Sequence, residues 1–298
     1  MAITVGGSDP PELRPFESAD EAGVLELLAA DRLPGQPECS ARMLADAVAG
    51  RSDADLDAWA ALAGTVITTV LCTPGGAIAG AVSCAGQPGD GTALLLWLHC
   101  HEDFSTAQAL IAQTLQCNDS RPVHAFTLAC AITRGLVGLP EYHRRVTREA
   151  LQAAGFTTRG RCRYLRAELP IAGLPHLADV QMNDTTSPPG KHLQVRRPGH
   201  VLAQATLERP VDGVGLIRSI TVAPHARGQG MGLGLLGNAL DVLVGLGARE
   251  AIVYLDEAGA DPERDPAVAL RTYAASDFTQ VDRLLTFTRL PTAALTPD

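Results

Sequence analysis

The chain has 298 residues, 46% of them hydrophobic, and a formal net charge of −9. Because proteins that bind nucleic acids present basic surfaces, this acidic balance argues against that class, and it suits a cationic small molecule as partner. No apolar run approaches the roughly 18 residues that a membrane-spanning helix needs, and the N-terminal residues lack the basic region and apolar core of a signal peptide. We therefore expect a cytoplasmic protein, long enough for two domains.

The cysteines and histidines do not form a pattern typical of a metal site. The seven cysteines are odd in number, widely spaced and without a C-x-x-C pair, and all lie in the first 162 residues. They predict reduced, mostly buried thiols. His99 and His101 share one face of a predicted strand, but no third ligand lies nearby in the sequence, so we predict no metal.

Residues 1–12 are predicted to be a disordered tail, and residues 13–169 a first domain that alternates strands and helices. A short strand at Leu13 leads into a helix, and a second helix follows at 39–49. The later predicted elements of this half are strands at 59–72, 77–84 and 92–100, a helix at 105–115, a strand at 123–131, a helix at 143–154 and a strand at 161–169.

Residues 170–192 are rich in Pro, Asn, Asp, Ser and Thr, so we expect an irregular linker there. The second domain is then predicted to span residues 193–298. Its predicted elements are strands at 193–197, 200–208 and 214–222, a long apolar helix from Leu233, a strand at 250–256, a helix at 267–278 and strands at 279–290.

A glycine-rich loop connects the strand at 214–222 to the long apolar helix. It reads Arg227-Gly228-Gln229-Gly230-Met231-Gly232. Glycines let the backbone turn tightly and approach a ligand, and a helix N-terminus attracts anions, so the loop predicts a phosphate site. It lacks the G-x-x-x-x-G-K-[ST] pattern of a P-loop. Its spacing disfavours a dinucleotide fold without excluding it, because Asp256 and Glu257 end the next strand.

The same stretch resembles the acyl-CoA loop of the GCN5-related N-acetyltransferase (GNAT) family. The family pattern V-x-P-x-x-R-G-x-G-x-G-x-x-L-L is met by Val222, Pro224, Arg227, Gly228, Gly230, Gly232, Leu235 and Leu236. The resemblance implies acetyl-CoA as a co-substrate, with its pyrophosphate held by the loop. The residues that it places at the cofactor are Thr221, Val222, Arg227, Gly228, Gln229, Gly230, Met231 and Gly232.

The order of the predicted elements resembles this family in both halves. It implies an α/β fold of two tandem GNAT-like domains, each a mixed, mostly antiparallel sheet flanked by helices. After Cys100, however, the first half has no glycine loop, and Glu102 and Asp103 would repel a pyrophosphate, so we interpret it as a degenerate copy. The second half lacks room for the helices that wall the family's acceptor site, so this wall is either truncated or supplied by the first half.

Acetyl transfer to an amine needs a route for the amine's proton, a donor to the carbonyl oxygen and an acid for the leaving thiolate. By resemblance, Tyr273 is the candidate acid and a backbone N–H at Thr221 or Val222 is the carbonyl donor. The candidate bases are the strand-end carboxylates Asp256 and Glu208. An acidic group, either a site for a cationic amine or a solvated loop, consists of Asp256, Glu257, Asp261, Glu263 and Asp265.

These features predict an acetyl-CoA-dependent N-acetyltransferase that acts on a primary amine of a small molecule by direct attack on the thioester. The tandem length is also similar to mycothiol synthase, which implies a cysteinyl amine as an alternative acceptor. A non-catalytic acyl-CoA-binding or scaffold protein is the alternative of another class, because the strand before the loop lacks a Glu. We expect neither nucleic acid nor membrane as a partner, and a first half that binds the acceptor or forms a homodimer.

Overall fold

A computed structural model of the chain describes residues 11–52, 56–62, 64–87, 89, 91–118, 120–133, 137–257 and 266–291. The strands are β1 (Glu12–Pro15), β2 (Ile67–Cys72), β3 (Ile78–Gly86), β4 (Ala93–His99), β5 (Val123–Ala125), β6 (Leu139–Pro140), β7 (Thr157–Glu168), β8 (Val180–Thr186), β9 (Pro189–Arg197), β10 (His200–Val211), β11 (Val214–Val222), β12 (Glu250–Asp256) and β13 (Thr279–Arg289). The helices are α1 (Glu21–Ala30), α2 (Ala41–Val48), α3 (Leu56–Ala61), α4 (Phe104–Gln116), α5 (Arg145–Ala153), α6 (Met231–Gly245) and α7 (Pro266–Ala274).

The strands of the described part of the chain form one sheet of 13 strands, in the order β1-β2-β3-β4-β5-β13-β7-β12-β11-β10-β9-β8, with β6 beside β13. Two neighbouring pairs are parallel, β4 with β5 and β11 with β12. Each of these pairs is connected through one helix, α4 in the first half and α6 in the second, as a parallel crossover requires. The α/β fold with a mixed, mostly antiparallel sheet is therefore confirmed.

The two halves exchange their last strands. Strand β7, the last of the first half, pairs along its length with β12 of the second half. Strand β13, the last of the chain, pairs with β5 of the first half and also with β7. Because the sheet interleaves the halves in this way, each half completes the sheet of the other, and the division into 13–169 and 193–298 stays a prediction.

The sheet of the second half is covered on both faces. On one, the helix face, α6 and α7 pack on alternate side chains of β10, β11 and β12. On the other, the opposite face, Leu33 from the segment after α1 packs against Tyr164 and Ile252. The Tyr164 hydroxyl also donates a hydrogen bond of 3.0 Å to the Pro34 carbonyl. The first half therefore covers the opposite face.

Three sequence predictions were wrong in their local structure, and a fourth lies mostly outside the described residues. Residues 59–61 were predicted as strand but belong to α3, because the Ala-rich run around Trp59 favours a helix. The strand predicted at 123–131 ends at Ala125, where the next residue takes a left-handed φ of 60°. The linker predicted at 170–192 contains β8 and the start of β9, an exposed edge strand and its partner. The predicted tail 1–12 lies outside the described residues except for its last two, and Glu12 begins β1.

The cysteines agree in part with the prediction of reduced, mostly buried thiols. All seven cysteines are free, and Cys117 is the exposed one. Burial raises the pKa of the Cys84 thiol to about 11 and that of Cys39 to about 12, which keeps both protonated and unreactive. None of the described helices is long and apolar enough to cross a membrane.

Candidate active site

The glycine-rich loop between β11 and α6 leaves its backbone accessible. Gly228 and Gly230 both have a φ of 75°, in the left-handed region that glycine adopts without steric cost. A Cβ added at either position would meet no described atom within 4 Å. At Gly232, in the first turn of α6, an added Cβ would come within 3.7 Å of the Val222 side chain. A ligand can therefore approach the loop directly.

The N-terminus of α6 favours an anion. Gly230 occupies the N-cap position and has no side chain that could accept from the first N–H groups of the helix. The Nε of Arg227 donates to the Val222 carbonyl at 3.3 Å, which holds its guanidinium beside the loop. Unpaired N–H groups, the helix dipole and this cation together make a site for a phosphate group.

Next to the loop, β11 and β12 separate and form a cleft. Their parallel pairing runs only from Val214 and Glu250 to Ile217 and Val253, although β11 continues to Val222 and β12 to Asp256. On its other side, β11 carries an extra residue at Arg218, a β-bulge that disturbs its pairing with β10. The cleft thus opens at the carboxyl ends of the parallel strands, where open α/β sheets bind ligands.

The predicted acid Tyr273 lies on the helix face. Its side chain is 5% exposed and packs edge to face on Phe278, with the ring centroids 5.1 Å apart. It belongs to the same apolar cluster as Val253 and Leu255 of β12, one of the strands that form the cleft. After α7, Asp277 takes a left-handed φ of 57°, the conformation for which glycine is usual at a helix end.

A cavity of about 610 Å³ lies on the opposite face of the cleft. Its lining comes from the sheet, from the turn between β8 and β9 and from the first half of the chain. The residues are Thr206, Arg218, Ser219, Tyr254, Ser187, Pro188, Leu56 and Asp57. A second cavity of about 870 Å³ shares Leu56 and Pro188 with it and reaches Glu208. The first half therefore supplies a wall over this face of the second half.

The predicted carboxylates have different surroundings. Glu208 is 3% exposed and accepts a hydrogen bond of 2.9 Å from Arg218. Asp256 is exposed at the end of β12 and lies opposite Cys162 of β7. Glu257 forms ion pairs with Arg163 at 2.9 Å and with a β13 arginine at 3.4 Å, so it connects three strands instead of belonging to a solvated loop. The other three members of the predicted acidic group, Asp261, Glu263 and Asp265, lie outside the described residues.

Burial also raises the pKa values of two side chains, Tyr254 and Cys162. It raises the pKa of the Tyr254 phenol, against the opposing charge of Arg218. Burial, followed by the charges of Asp256 and Glu257, raises the pKa of the Cys162 thiol to about 11. Tyr254 therefore keeps its proton at neutral pH and can donate a hydrogen bond to a ligand in the cavity.

At the corresponding place in the first half, the protein's own carboxylates occupy the helix ends. The Asp103 side chain caps α4 by accepting from the Thr106 N–H at 2.8 Å. The Glu102 side chain accepts from the Val146 N–H of α5 at 2.7 Å and from the buried Arg144 at 2.6 Å. These contacts agree with the interpretation that the first half is a degenerate copy.

The predicted site residues fall into two groups, and several lining residues were missed. The loop and Tyr273 lie on the helix-face side of the cleft, whereas Glu208 lies on the opposite face. Sequence reasoning missed Leu56 and Asp57, which belong to no motif and reach the cavity only because the halves pack together. It also missed Tyr254, for which strand alternation around Asp256 was the available signal.

Comparison with known proteins finds one family whose sequence model matches and several solved structures with a similar fold. Residues 161–271 match the sequence model of the acetyltransferase (GNAT) family. Among curated proteins there is no significant match. A tandem GNAT protein from the clavulanic acid biosynthesis pathway shares 16% identity at a TM-score of 0.67, over 96% of this chain and 100% of that one. A GCN5-related N-acetyltransferase from Sphaerobacter thermophilus shares 13% identity at a TM-score of 0.64, over 94% of this chain and 96% of that one.

The matched segment contains the features described above. It runs from β7 to α7 and includes the glycine-rich loop, the cleft and part of the cavity lining. The solved structures extend over both halves, which shows that the interleaved sheet is a tandem arrangement of GNAT folds. Residues 161–271 are therefore similar in sequence to the acetyltransferase (GNAT) family, and the whole chain has the fold of tandem GNAT proteins.

Proposed function

We propose that the protein is an acetyl-CoA-dependent N-acetyltransferase that acetylates the primary amine of a small molecule. One observation carries the proposal: left-handed Gly228 and Gly230 precede the uncapped N-terminus of α6 beside the cleft between β11 and β12. A pyrophosphate suits this place, because it meets several N–H groups and the helix dipole without a side chain in between. Arg227 adds a positive charge.

The two faces of the cleft would divide the chemistry. The donor thioester enters from the loop, and the amine enters from the cavity on the opposite face. An acceptor that arrives as an ammonium ion first loses one proton. The neutral nitrogen then attacks the carbonyl carbon, the C–N bond forms, the C–S bond breaks and the nitrogen loses a second proton. A backbone N–H of Thr221 or Val222 would stabilise the developing oxyanion, and Tyr273 on the helix face would protonate the departing thiolate.

The proton of the amine would leave on the opposite face. Of the two predicted bases, Glu208 is 3% exposed, so a proton on its carboxylate has no direct route to water. Asp256 ends β12 in an exposed position, so a proton can pass from it to water. We therefore prefer Asp256, directly or through a water molecule, to Glu208 as the base.

Calorimetry with acetyl-CoA tests the proposal. The parent should bind one equivalent, and Gly230→Glu should bind none, because the new carboxylate fills and charges the phosphate site. Gly76→Glu is the matched control. Gly76 has a φ of 81° in the turn between β2 and β3, with no described atom within 4 Å of an added Cβ, so the same side chain is added with the same backbone strain.

An amine panel that includes a cysteinyl amine then tests the reaction through release of free CoA thiol. Turnover with one or more amines, abolished by Gly230→Glu and kept by Gly76→Glu, supports the acetyltransferase. Acetyl-CoA binding without turnover on any amine would favour the acyl-CoA-binding scaffold. Equal binding by the parent and Gly230→Glu would refute the assignment of the donor to this loop.

A further inference from the structure

The cavity on the opposite face is a joint product of the two halves. Its floor is the sheet of the second half, with Arg218 and Tyr254, and its wall is α3 of the first half, with Leu56 and Asp57. Across the cleft from it lie the glycine-rich loop and Tyr273. A molecule in this cavity therefore contacts residues about 160 positions apart in the sequence, from which no local motif can form.

The charges that face the cavity leave a net negative charge. Among its described lining residues, Asp57 and Arg218 are ionised at neutral pH. Arg218 is neutralised by the buried carboxylate of Glu208, 2.9 Å away. Asp57, an exposed residue at the rim, is then the uncompensated charge among these described lining residues. The cavity accordingly favours a cation over a zwitterion.

The remaining lining suits an apolar body. Leu56 is 50% exposed, which is high for a leucine, and it lies together with Pro188 where the two cavities meet. Beyond them, the second cavity contains Asp46 between Arg51 at 2.8 Å and Arg42 at 3.9 Å. A ligand that extends from Asp57 along Leu56 thus meets a carboxylate, then an apolar surface, then a wall with two arginines and one aspartate.

We propose that the acceptor is a cationic primary amine with an apolar body, and that Asp57 of the first half binds its ammonium group. This inference rests on the proposed acetyltransferase function for its place in a reaction. It assigns to the degenerate first half the binding of the acceptor, and Asp57 is a positioning residue that holds the amine and does not itself react. Leu56 and Pro188 contact the body of the acceptor.

The probes are two pairs of amines that share a body and differ by a carboxylate: 2-phenylethylamine with phenylalanine, and hexylamine with 6-aminohexanoate. In the parent, the simple amine of each pair should have the higher kcat/KM. In Asp57→Asn, KM for 2-phenylethylamine should rise about tenfold or more, the scale of a hydrogen bond to a charged group. Its kcat and the acetyl-CoA affinity should stay within about twofold, because Tyr273 and the loop are untouched.

Three controls separate this effect from a general loss of structure. Glu26→Gln removes a carboxylate from an exposed position on α1 and should leave KM unchanged. Asp57→Glu keeps the charge and should recover part of the affinity. Calorimetric binding of 2-phenylethylamine to the parent and to Asp57→Asn requires no turnover, so it tests the cavity even if the protein binds no acetyl-CoA and the proposed function fails.

Two results would overturn the inference. The first is an equal KM and an equal amine affinity in the parent and Asp57→Asn. The second is a preference of the parent for phenylalanine and 6-aminohexanoate, which would give the leading role to Arg218. A fall in kcat with unchanged KM would also contradict it, because Asp57 would then act in the chemical step.

Discussion

The two halves of the molecule place the same helix end beside the same kind of cleft and fill it differently. In the second half, α6 begins after a glycine N-cap and leaves its first N–H groups for a ligand. In the first half, α4 begins after Asp103, whose carboxylate takes the Thr106 N–H at 2.8 Å and the Ser105 hydroxyl at 2.6 Å. The positive end of a helix is thus satisfied by the chain's own carboxylate in the first half, whereas no side chain caps it in the second half, where we propose that an anion binds.

The comparison extends to the helix that precedes the last strand of each half. The N–H of Phe156 bonds the carbonyl of Leu151 at 3.0 Å, and the N–H of Phe278 bonds the carbonyl of Tyr273 at 3.1 Å, so the two helix ends have the same geometry. Leu151 stands where the second half has Tyr273. A leucine side chain has no proton to donate, so the first half has no counterpart of the proposed acid at this position.

The first half has gained a buried ionic cluster in exchange. Arg144 is 3% exposed and contacts Glu102 at 2.6 Å and Asp31 at 3.3 Å, and Asp31 also contacts His99 at 2.8 Å. Burial lowers the pKa of His99, against the opposing effect of Asp31. The lesson is that an unused ligand site is not left empty, because buried helix ends and charges require partners.

The largest expected effect is a loss of stability when the ionic cluster of the first half is removed. Arg144→Leu removes the cation between the buried carboxylate of Asp31 and the partly buried one of Glu102, and should lower the free energy of unfolding by about 3 kcal/mol. Urea unfolding measures it. Arg145→Leu is the control: its side chain is 67% exposed and pairs with Glu149 at 3.5 Å on the surface, so its loss should stay below about 1 kcal/mol. Similar losses in the two variants would show that the cluster is not what stabilises this half.

The next largest effect should be on the rate of the reaction. It concerns the position that is Tyr273 in the second half and Leu151 in the first. Tyr273→Phe should lower kcat about 100-fold or more, the scale of general acid catalysis, and leave the acetyl-CoA affinity unchanged. Steady-state kinetics and calorimetry measure the two quantities. Tyr142→Phe makes the same chemical change at an exposed tyrosine and should be neutral. An unchanged kcat in Tyr273→Phe would leave this residue with a packing role against Phe278.

A smaller effect is expected when the cap of the first half is removed. Asp103→Ala should lower stability by about 1 kcal/mol, the usual contribution of an N-cap. It should not create a second acetyl-CoA site, because Glu102 stays bound to the start of α5 and no glycine loop precedes α4. Calorimetry gives the number of equivalents. A second equivalent in this variant would show that Asp103 alone keeps the first half from binding acetyl-CoA.

Local sequence was sufficient for the features of the second half that lie along the chain. The range 214–222 was predicted correctly as a strand, and the predicted glycine-rich turn before an apolar helix is also present, at the start of α6. These are short-range signals, since turn chemistry and side-chain periodicity act within a few residues. By the same reasoning, Glu102 and Asp103 predict that the first half has no phosphate site, and this stays a prediction.

What the sequence did not predict depends on contacts between distant segments. The exchange of β7 and β13 follows from packing of whole sheets, which no window of the sequence contains. Residues 170–192 were predicted to be a linker because they are rich in polar and proline residues, which are typical of loops. Edge strands tolerate the same residues. Asp57 reaches the cavity through α3, a helix that was not predicted and whose last three residues were assigned to a strand.

The smallest expected effect compares the residues that end the two corresponding helices. Gly155 has a φ of 85° after α5, and Asp277 has a φ of 57° after α7, so one half uses the residue suited to this conformation and the other does not. Asp277→Gly should therefore raise the free energy of unfolding by up to about 1 kcal/mol, and Gly155→Asp should lower it by a similar amount. An added Cβ at Gly155 comes no closer than 3.7 Å to Arg289, so the cost is conformational and not steric. Thermal or urea unfolding of the two single variants and of the double variant measures both changes in stability. A lower stability of Asp277→Gly would mean that the Asp277 side chain makes a contact that stabilises the protein by more than its backbone strain costs.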